Sequence, residues 1–199
     1  MKKKIRFFIQ LLIPSFIVNT YMSIRYMCFV HPFAKIYWPQ NVKLAQGVRV
    51  GRGTTIIAQD NRNSIVIGRN TIIEDYCNLN NKGGYIKIGE NSSLNHYSII
   101  QSTKDNSIEI GDHVAMAPYT RILPNHEYHE GEVAGTVHAS TRIGNNVWFG
   151  AGVTLIIGKN IGDNCIVGAN SVITRDIPSN TVSAGIPAKK IKTFDEYVQ

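Results

Sequence analysis

Large apolar residues return every six positions along much of this chain. From residue 143 the hexads begin at Ile143, Phe149, Leu155, Ile161 and Val167, and four of the five second places are Gly. The fifth places are Val147, Val153, Lys159, Cys165 and Ser171. Earlier hexads begin at Val50, Ile67, Ile73, Ile88, Leu94, Ile110 and Met116. A period of six matches neither a helix nor a sustained two-residue alternation. It matches a solenoid with one flat side per hexad and a sharp turn at each corner. The first place then points inward and stacks on its equivalents in the coils above and below. The fifth place is small because the interior is narrow. Asn70, Asn91, Asn146 and Asn164 fill the fourth place, and asparagine tolerates the left-handed backbone that corners require.

The Ile-Gly or Val-Gly starts fall at 50, 67, 88, 110, 143 and 161, with spacings of 17, 21, 22, 33 and 18. Three hexads make a coil of 18 residues, so the spacing of 33 carries 15 extra and locates a protruding loop around 125–142. The expected fold is all-β: a parallel β-helix solenoid with a short N-terminal helical or interfacial segment. The expected division is 1–40 for that segment, 41–188 for the β-helix and 189–199 for a tail.

Composition removes several classes. With 43% hydrophobic and 18% charged residues, the chain is neither a disordered polymer nor a small disulfide-stapled module. Lys and Arg total 21 against 14 Asp and Glu, a formal charge of +7. Lys2, Lys3, Lys4 and Arg6 open the chain, and Lys189, Lys190 and Lys192 lie near its end. Two short clusters so far apart make no nucleic-acid groove. Cys28, Cys77 and Cys165 are odd in number and widely spaced, which fits small buried residues in a reducing compartment.

Residues 7–18, FFIQLLIPSFIV, are too short for a membrane-spanning helix of about 20 residues. Three readings stand for this stretch. It is an interfacial helix with cations on lipid headgroups, a helix that covers one end of the domain or meets a partner subunit, or a cleaved or spanning segment.

The strings NNVWFGAG (145–152), ITRDIPSNT (173–181) and AGIPAKKI (184–191) are far more specific than the hexads. With them the chain resembles the hexapeptide-repeat acyltransferases, whose fold is a left-handed parallel β-helix. It is similar in particular to the sugar O-acetyltransferases of the galactoside, maltose and capsule-biosynthesis type. The resemblance covers residues 45–193. It implies a homotrimer with acetyl-CoA in the cleft between neighbouring β-helices.

The resemblance also implies a site. The loop reads NHEYHEGEVAGTVHAST, and His126 stands where similar enzymes have a general base. The chemistry explains that choice. A thioester is already activated, and an alcohol lacks only a proton acceptor near neutral pH, which an imidazole with an ordinary pKa of roughly 6.5 supplies. Direct transfer needs no enzyme nucleophile. Asn95 and His96 are expected near the acceptor, and Trp148 at the acceptor end of the cleft. Ala151 and Ala169 match places where backbone meets the pantetheine arm. Thr174 and Arg175 match a Thr-Lys pair near the nucleotide end, and Lys189 and Lys192 match basic residues that meet the CoA phosphates. His129 and His138 read as polar loop residues and His113 as a corner residue. HEYHE lacks the HExxH spacing of a zinc helix, and no metal is expected.

The chain departs from the family at Lys159, where the hexad calls for a small apolar residue, and at Ile157, where a proline is common. The coil there is expected to rearrange and to let the lysine escape to solvent. The helical N-terminal domain typical of galactoside and maltose acetyltransferases is not recognisable. That moves the expected acceptor towards capsular or surface-polysaccharide intermediates. The activity expected is acetyl-CoA-dependent O-acetylation of a sugar hydroxyl, cytoplasmic and peripheral to the membrane. The rivals are an N-acyltransferase on an amino sugar and a non-catalytic β-helix scaffold.

Overall fold

In the computed structural model, residues 14–59, 64–124, 126–129, 132–136 and 139–198 are described, with side chains outside 126–136 and short of 198. Three parallel sheets form the three sides of a solenoid. Side A stacks Phe29–Val30, Arg49–Val50, Ile72–Ile73, Ser93–Leu94, Ala115–Met116, Trp148–Phe149, Ile166–Val167 and Thr181–Ala184. Side B runs from Lys35–Tyr37 to Val172–Ile173, and side C from Val42–Leu44 to Thr141–Ile143. Isolated bridges continue side C through Ile161 to Ile177. The β-solenoid expected from the hexads is the observed fold.

Each short strand turns one apolar residue inward, and like stacks on like. Leu44, Ile67, Ile88, Ile110 and Ile143 form one column. Val30, Val50, Ile73, Leu94, Met116, Phe149 and Val167 form a second. Ile36, Ile56, Leu79, Ile100, Ile122, Leu155 and Ile173 form the third. All are buried. Every coil therefore lends its neighbours a dry face, the source of stability in quasi-one-dimensional folds.

The columns correct one sequence assignment. Val50 pairs with Ile73 on side A, and the residue stacked on Ile67 is Leu44. The interval of 17 from Val50 to Ile67 therefore joins two sides and is not a coil. Measured along side C, the coils from Leu44 to Ile177 are 23, 21, 22, 33, 18 and 16 residues long.

The differences in length gather at one corner. From Val50 to Val172 every connection from side A to side B has four residues: 51–54, 74–77, 95–98, 117–120, 150–153 and 168–171. The five connections from side C to side A, from 45–48 to 144–147, also have four. The strand-to-strand connections from B to C are 38–41, 58–64, 81–84, 102–106 and 124–140. The last carries the protruding segment, an antiparallel hairpin of His126–His129 and Glu132–Thr136.

The C-to-A corner carries asparagine at positive φ: Asn70, Asn91, Asn146, Asn164 and Asn180, with Gly47 and His113 taking the place in two other coils. Asn146 donates from Nδ2 to Asn164 Oδ1 at 3.2 Å, and Asn164 to Asn180 at 2.9 Å. At the rearranged coil, Ile157 is buried and Gly158 takes φ +91°. Ile157 thus fills the interior that Lys159 would have to fill, and Lys159 is only half-buried.

A helix, Ser15–Tyr26, closes the first end of the solenoid. Met22 is buried, with Val18 and Tyr26 half-buried against the core. Asn19 Nδ2 donates to the carbonyls of His31 and Ala34 at 2.8 and 2.9 Å, tying the helix to the first coil. The solenoid strands already begin at Phe29. At the other end, Lys189–Thr193 runs antiparallel to Thr181–Ala184.

Candidate functional site

The expected site residues fall on two different corners. Hydrogen bonds from one coil to the next define a column at the A-to-B corner: Arg52, Asp75, His96, Pro118, Ala151 and Ala169. His96 and Ala151 are two coils apart, roughly 10 Å at 4.7–4.9 Å per coil. Asn95 is half-buried beside His96, and its Nδ2 donates to the Met116 carbonyl at 2.9 Å. Ala151 and Ala169 are exposed, and the backbone here is tightly stacked. A Cβ at Gly150 would come within 2.6 Å of the Ala169 nitrogen, so it is the glycine that lets these two coils stack so closely. Trp148 stands nearby, exposed on the outer face of side A between Ala115 and Ile166.

The B-to-C corner carries the second group. His126 opens the hairpin in register with Thr136, just beyond Leu123 and Pro124. Its side chain lies outside the described residues, as does that of His129, and His138 lies wholly outside them. Thr174 and Arg175 are exposed where side B ends after Ile173. A full side, on the order of 10–15 Å of extended chain, separates the two groups within one chain.

Lys189 is exposed on the last strand. Lys192 is half-buried, with Nζ 4.9 Å from the Tyr197 ring centroid and donating to the Glu196 carbonyl at 3.4 Å. Of the two lysines, Lys189 is thus the more open to a phosphate.

Two features were not read from the sequence. Tyr76, Tyr97 and Tyr119 form an exposed ladder next to the His96 column, with ring centroids 5.4 and 5.3 Å apart and planes within 9° of parallel. All three sit at positive φ, which bulky residues rarely adopt. Their signal was present in the spacings of 21 and 22, which equal the coil lengths there. The second feature is a groove of about 620 Å³ along side C and the variable corner. Lys43, Val66, Tyr85, Asp105, Ser107 and Ser140 are among its lining residues, and Ser140 belongs to the segment that bears the hairpin. Burial, helped by the Glu109 carboxylate, raises the pKa of the Tyr85 phenol, which therefore stays a neutral donor and acceptor.

The cysteines are placed for packing. Cys77 and Cys165 are buried inside the coil, and Cys28 is half-buried. Burial pushes the Cys28 and Cys77 thiols up to about 11. That is the opposite of an activated nucleophile.

The family model described as the hexapeptide repeat of succinyl-transferase matches residues 140–175. A galactoside O-acetyltransferase of Escherichia coli is 38% identical over 117 residues, which are 57% of this chain and 57% of the relative. A Saccharomyces cerevisiae protein named as an acetyltransferase is 39% identical over 151 residues, 70% of this chain and 74% of its own length. Among solved structures, an N-acyltransferase from Bacillus cereus, in complex with dTDP-4-amino-4,6-dideoxyglucose and coenzyme A, superposes with a TM-score of 0.62 at 18% identity, covering 87% of each chain. That likeness speaks for the fold. With the hexads, the three-sided solenoid and the yeast relative together, the chain belongs to the hexapeptide-repeat acetyltransferase family.

Proposed function

We propose that this chain is an acetyl-CoA-dependent O-acetyltransferase acting on a sugar hydroxyl, by direct transfer with His126 as general base. The observation that carries the reading is the split of the candidate residues between two corners. Asn95, His96 and Ala151 share one corner, and the hairpin that begins at His126 leaves another. A second copy packed side by side brings the hairpin corner of one chain to the alanine corner of its neighbour. The active assembly is accordingly a homotrimer with one such cleft at each junction.

The chemistry follows from the residues. The imidazole of His126 takes the proton as the hydroxyl oxygen attacks the thioester carbonyl. The carbon–sulfur bond breaks, and the proton passes to the departing thiolate. A positioned base is worth about 10²–10⁴ in rate. Ala151 and Ala169 offer backbone to the pantetheine arm, and Arg175 and Lys189 offer charge to the phosphates. Asn95 and His96 orient the acceptor, and Trp148 lines its end of the cleft. The acceptor belongs to capsular or surface-polysaccharide biosynthesis, and the enzyme works in the cytoplasm at the membrane periphery. A second reading, transfer to an amino sugar, has the fold likeness to the Bacillus cereus N-acyltransferase in its favour.

The test measures thiol release from acetyl-CoA across a panel of sugars, each in its hydroxyl and amino forms. His126→Ala should keep the trimer and acetyl-CoA binding and lose transfer by about 10²–10⁴. Turnover within threefold of the parent chain rejects His126 as the base. A preference for the amino form selects the second reading.

A further inference from the structure

The first acidic residue of the chain is Asp60, and nine of the 21 Lys and Arg precede it. The other 12 face all 14 Asp and Glu, a net of −2, so the first 59 residues carry +9 of a chain whose total is +7. Five of the nine, Arg25, Lys35, Lys43, Arg49 and Arg52, lie in the helix and the first two coils, so among the described residues positive charge gathers at the end of the solenoid that the helix closes.

That helix is oriented the wrong way round for water. Its narrow inner face, Asn19 and Met22, is buried on the first coil. Its outer face presents Ile24, Phe16, Tyr21 and Ile17 at 75, 55, 53 and 49% exposure. A surface helix ordinarily turns such residues inward. Phe29 and Phe33 extend the apolar surface onto the first coil at 50 and 64% exposure. Cations interleave with it: Arg25 lies 5.7 Å from the Tyr21 ring centroid, and Arg52 lies 5.7 Å from that of Phe33. Lys35 is exposed in the first coil, and Arg49 is exposed in the next, in register with Phe29. Apolar and aromatic groups interleaved with cations are what the boundary of an anionic bilayer accepts.

We propose that this end of the solenoid docks on an anionic lipid surface through the outer face of helix Ser15–Tyr26, with Phe29, Phe33, Arg49 and Arg52 at its margin. A second copy end to end is disfavoured, because two faces of like charge would meet, and Asp75 on the coil behind them already accepts from the Arg52 backbone N–H at 2.7 Å. The geometry sets the pose. The helix lies across the end of the coils, so the solenoid axis stands away from the membrane and the hairpin corner is held several coils above it. Parallel packing of three copies would place three such helices in one plane and multiply a weak contact. The inference rests only on the peripheral placement proposed above, and the acyl-transfer reading stands or falls separately.

The test is flotation of the full chain with vesicles of phosphatidylcholine and phosphatidylglycerol at 7:3, against phosphatidylcholine alone, in 0.1 and 0.5 M NaCl. Partition should be at least about tenfold higher on the anionic vesicles and fall at least about tenfold in the higher salt. The pair Ile17→Ser and Ile24→Ser should lose about tenfold with an unchanged melting temperature, since both side chains are exposed. The pair Arg49→Gln and Arg52→Gln should weaken binding only to the anionic vesicles, which keeps the proposal testable should the helix variant melt early. Equal partition of parent and helix variant overturns the proposal. So does self-association without vesicles that the helix variant abolishes, because the face would then be a contact between copies.

Discussion

Two corners of the same coils follow opposite rules. The C-to-A corner has four residues in all five of its strand-to-strand connections, shortens to three only after the bridge at Ile177, and repeats asparagine at positive φ. The B-to-C corner ranges from four residues, 81–84, to seventeen, 124–140. The difference reflects what each corner must do. Successive strands keep register only if the chain returns to the same height and phase in each coil. One corner with a fixed length and a left-handed residue sets that phase. Once it is set, another corner is free to lengthen, because an excursion there leaves the inward columns undisturbed and costs only slowly growing loop entropy. The hairpin, the large groove and the candidate base all lie on the free corner.

If that division is right, damage to the constant part is structural and damage to the variable part is chemical. The largest expected effect is at Phe149, a fully buried side chain in the side A column. Phe149→Ala should cost about 3–5 kcal/mol in urea unfolding, a large share of the stability of an ordinary domain. A loss under about 1 kcal/mol would mean that the column does not hold the coils together. The converse experiment replaces residues 125–138 with two glycines. The connection from side B to side C then has five residues, like 102–106. Shortening the loop from 17 to five residues should leave stability unchanged or raise it by about 1 kcal/mol. Transfer should fall by at least about 10², the contribution of a positioned base. A collapse of the fold would contradict the independence of the two corners.

The asparagine ladder sharpens the same contrast with a smaller effect. Asn146 sits at φ +54° and bonds Asn164. Asn146→Ala should cost about 1–2 kcal/mol, because alanine lacks the local hydrogen bonds that ease a left-handed backbone. Asn146→Gly should cost less, since it relieves the conformation and loses only an exposed amide contact. Equal losses for the two would mean that the ladder bond, and not the backbone, is what asparagine supplies.

The inward columns were legible in the sequence because each hexad start is a large apolar residue and the period is too rigid to arise otherwise. The side to which each start belongs was not legible. All three sides turn the same kind of residue inward, so Val50 looked like a partner of Ile67 although it stacks on Ile73. Only corner lengths distinguish the sides, and these became visible once the strands were placed. The candidate site suffered the same loss. Asn95, His96 and His126 lie within 32 positions of one another in sequence, yet they leave different corners. The tyrosine ladder escaped notice because left-handed corners are expected to hold asparagine or glycine. Stacking with neighbours offsets the unfavourable backbone of each tyrosine, and such mutual support is invisible one residue at a time.

The cysteines give the mildest test of the constant part. Cys77 and Cys165 take small inward corner places, where burial raises both thiols, Cys77 to about 11. A thiol kept neutral in the folded chain and free to ionise in the unfolded one stabilises the fold below the unfolded pKa of roughly 8.5. That contribution is lost as pH rises towards 11, because the unfolded chain releases the proton first. Melting temperature should therefore decline between about pH 8.5 and 11, and Cys77→Ala should flatten the decline. At pH 7.5, alkylation of Cys77 and Cys165 by iodoacetamide should wait for unfolding, while half-buried Cys28 reacts sooner. Rapid modification of Cys165 in the folded chain would show that the last coils open readily, and that the constant corner fails to hold them shut.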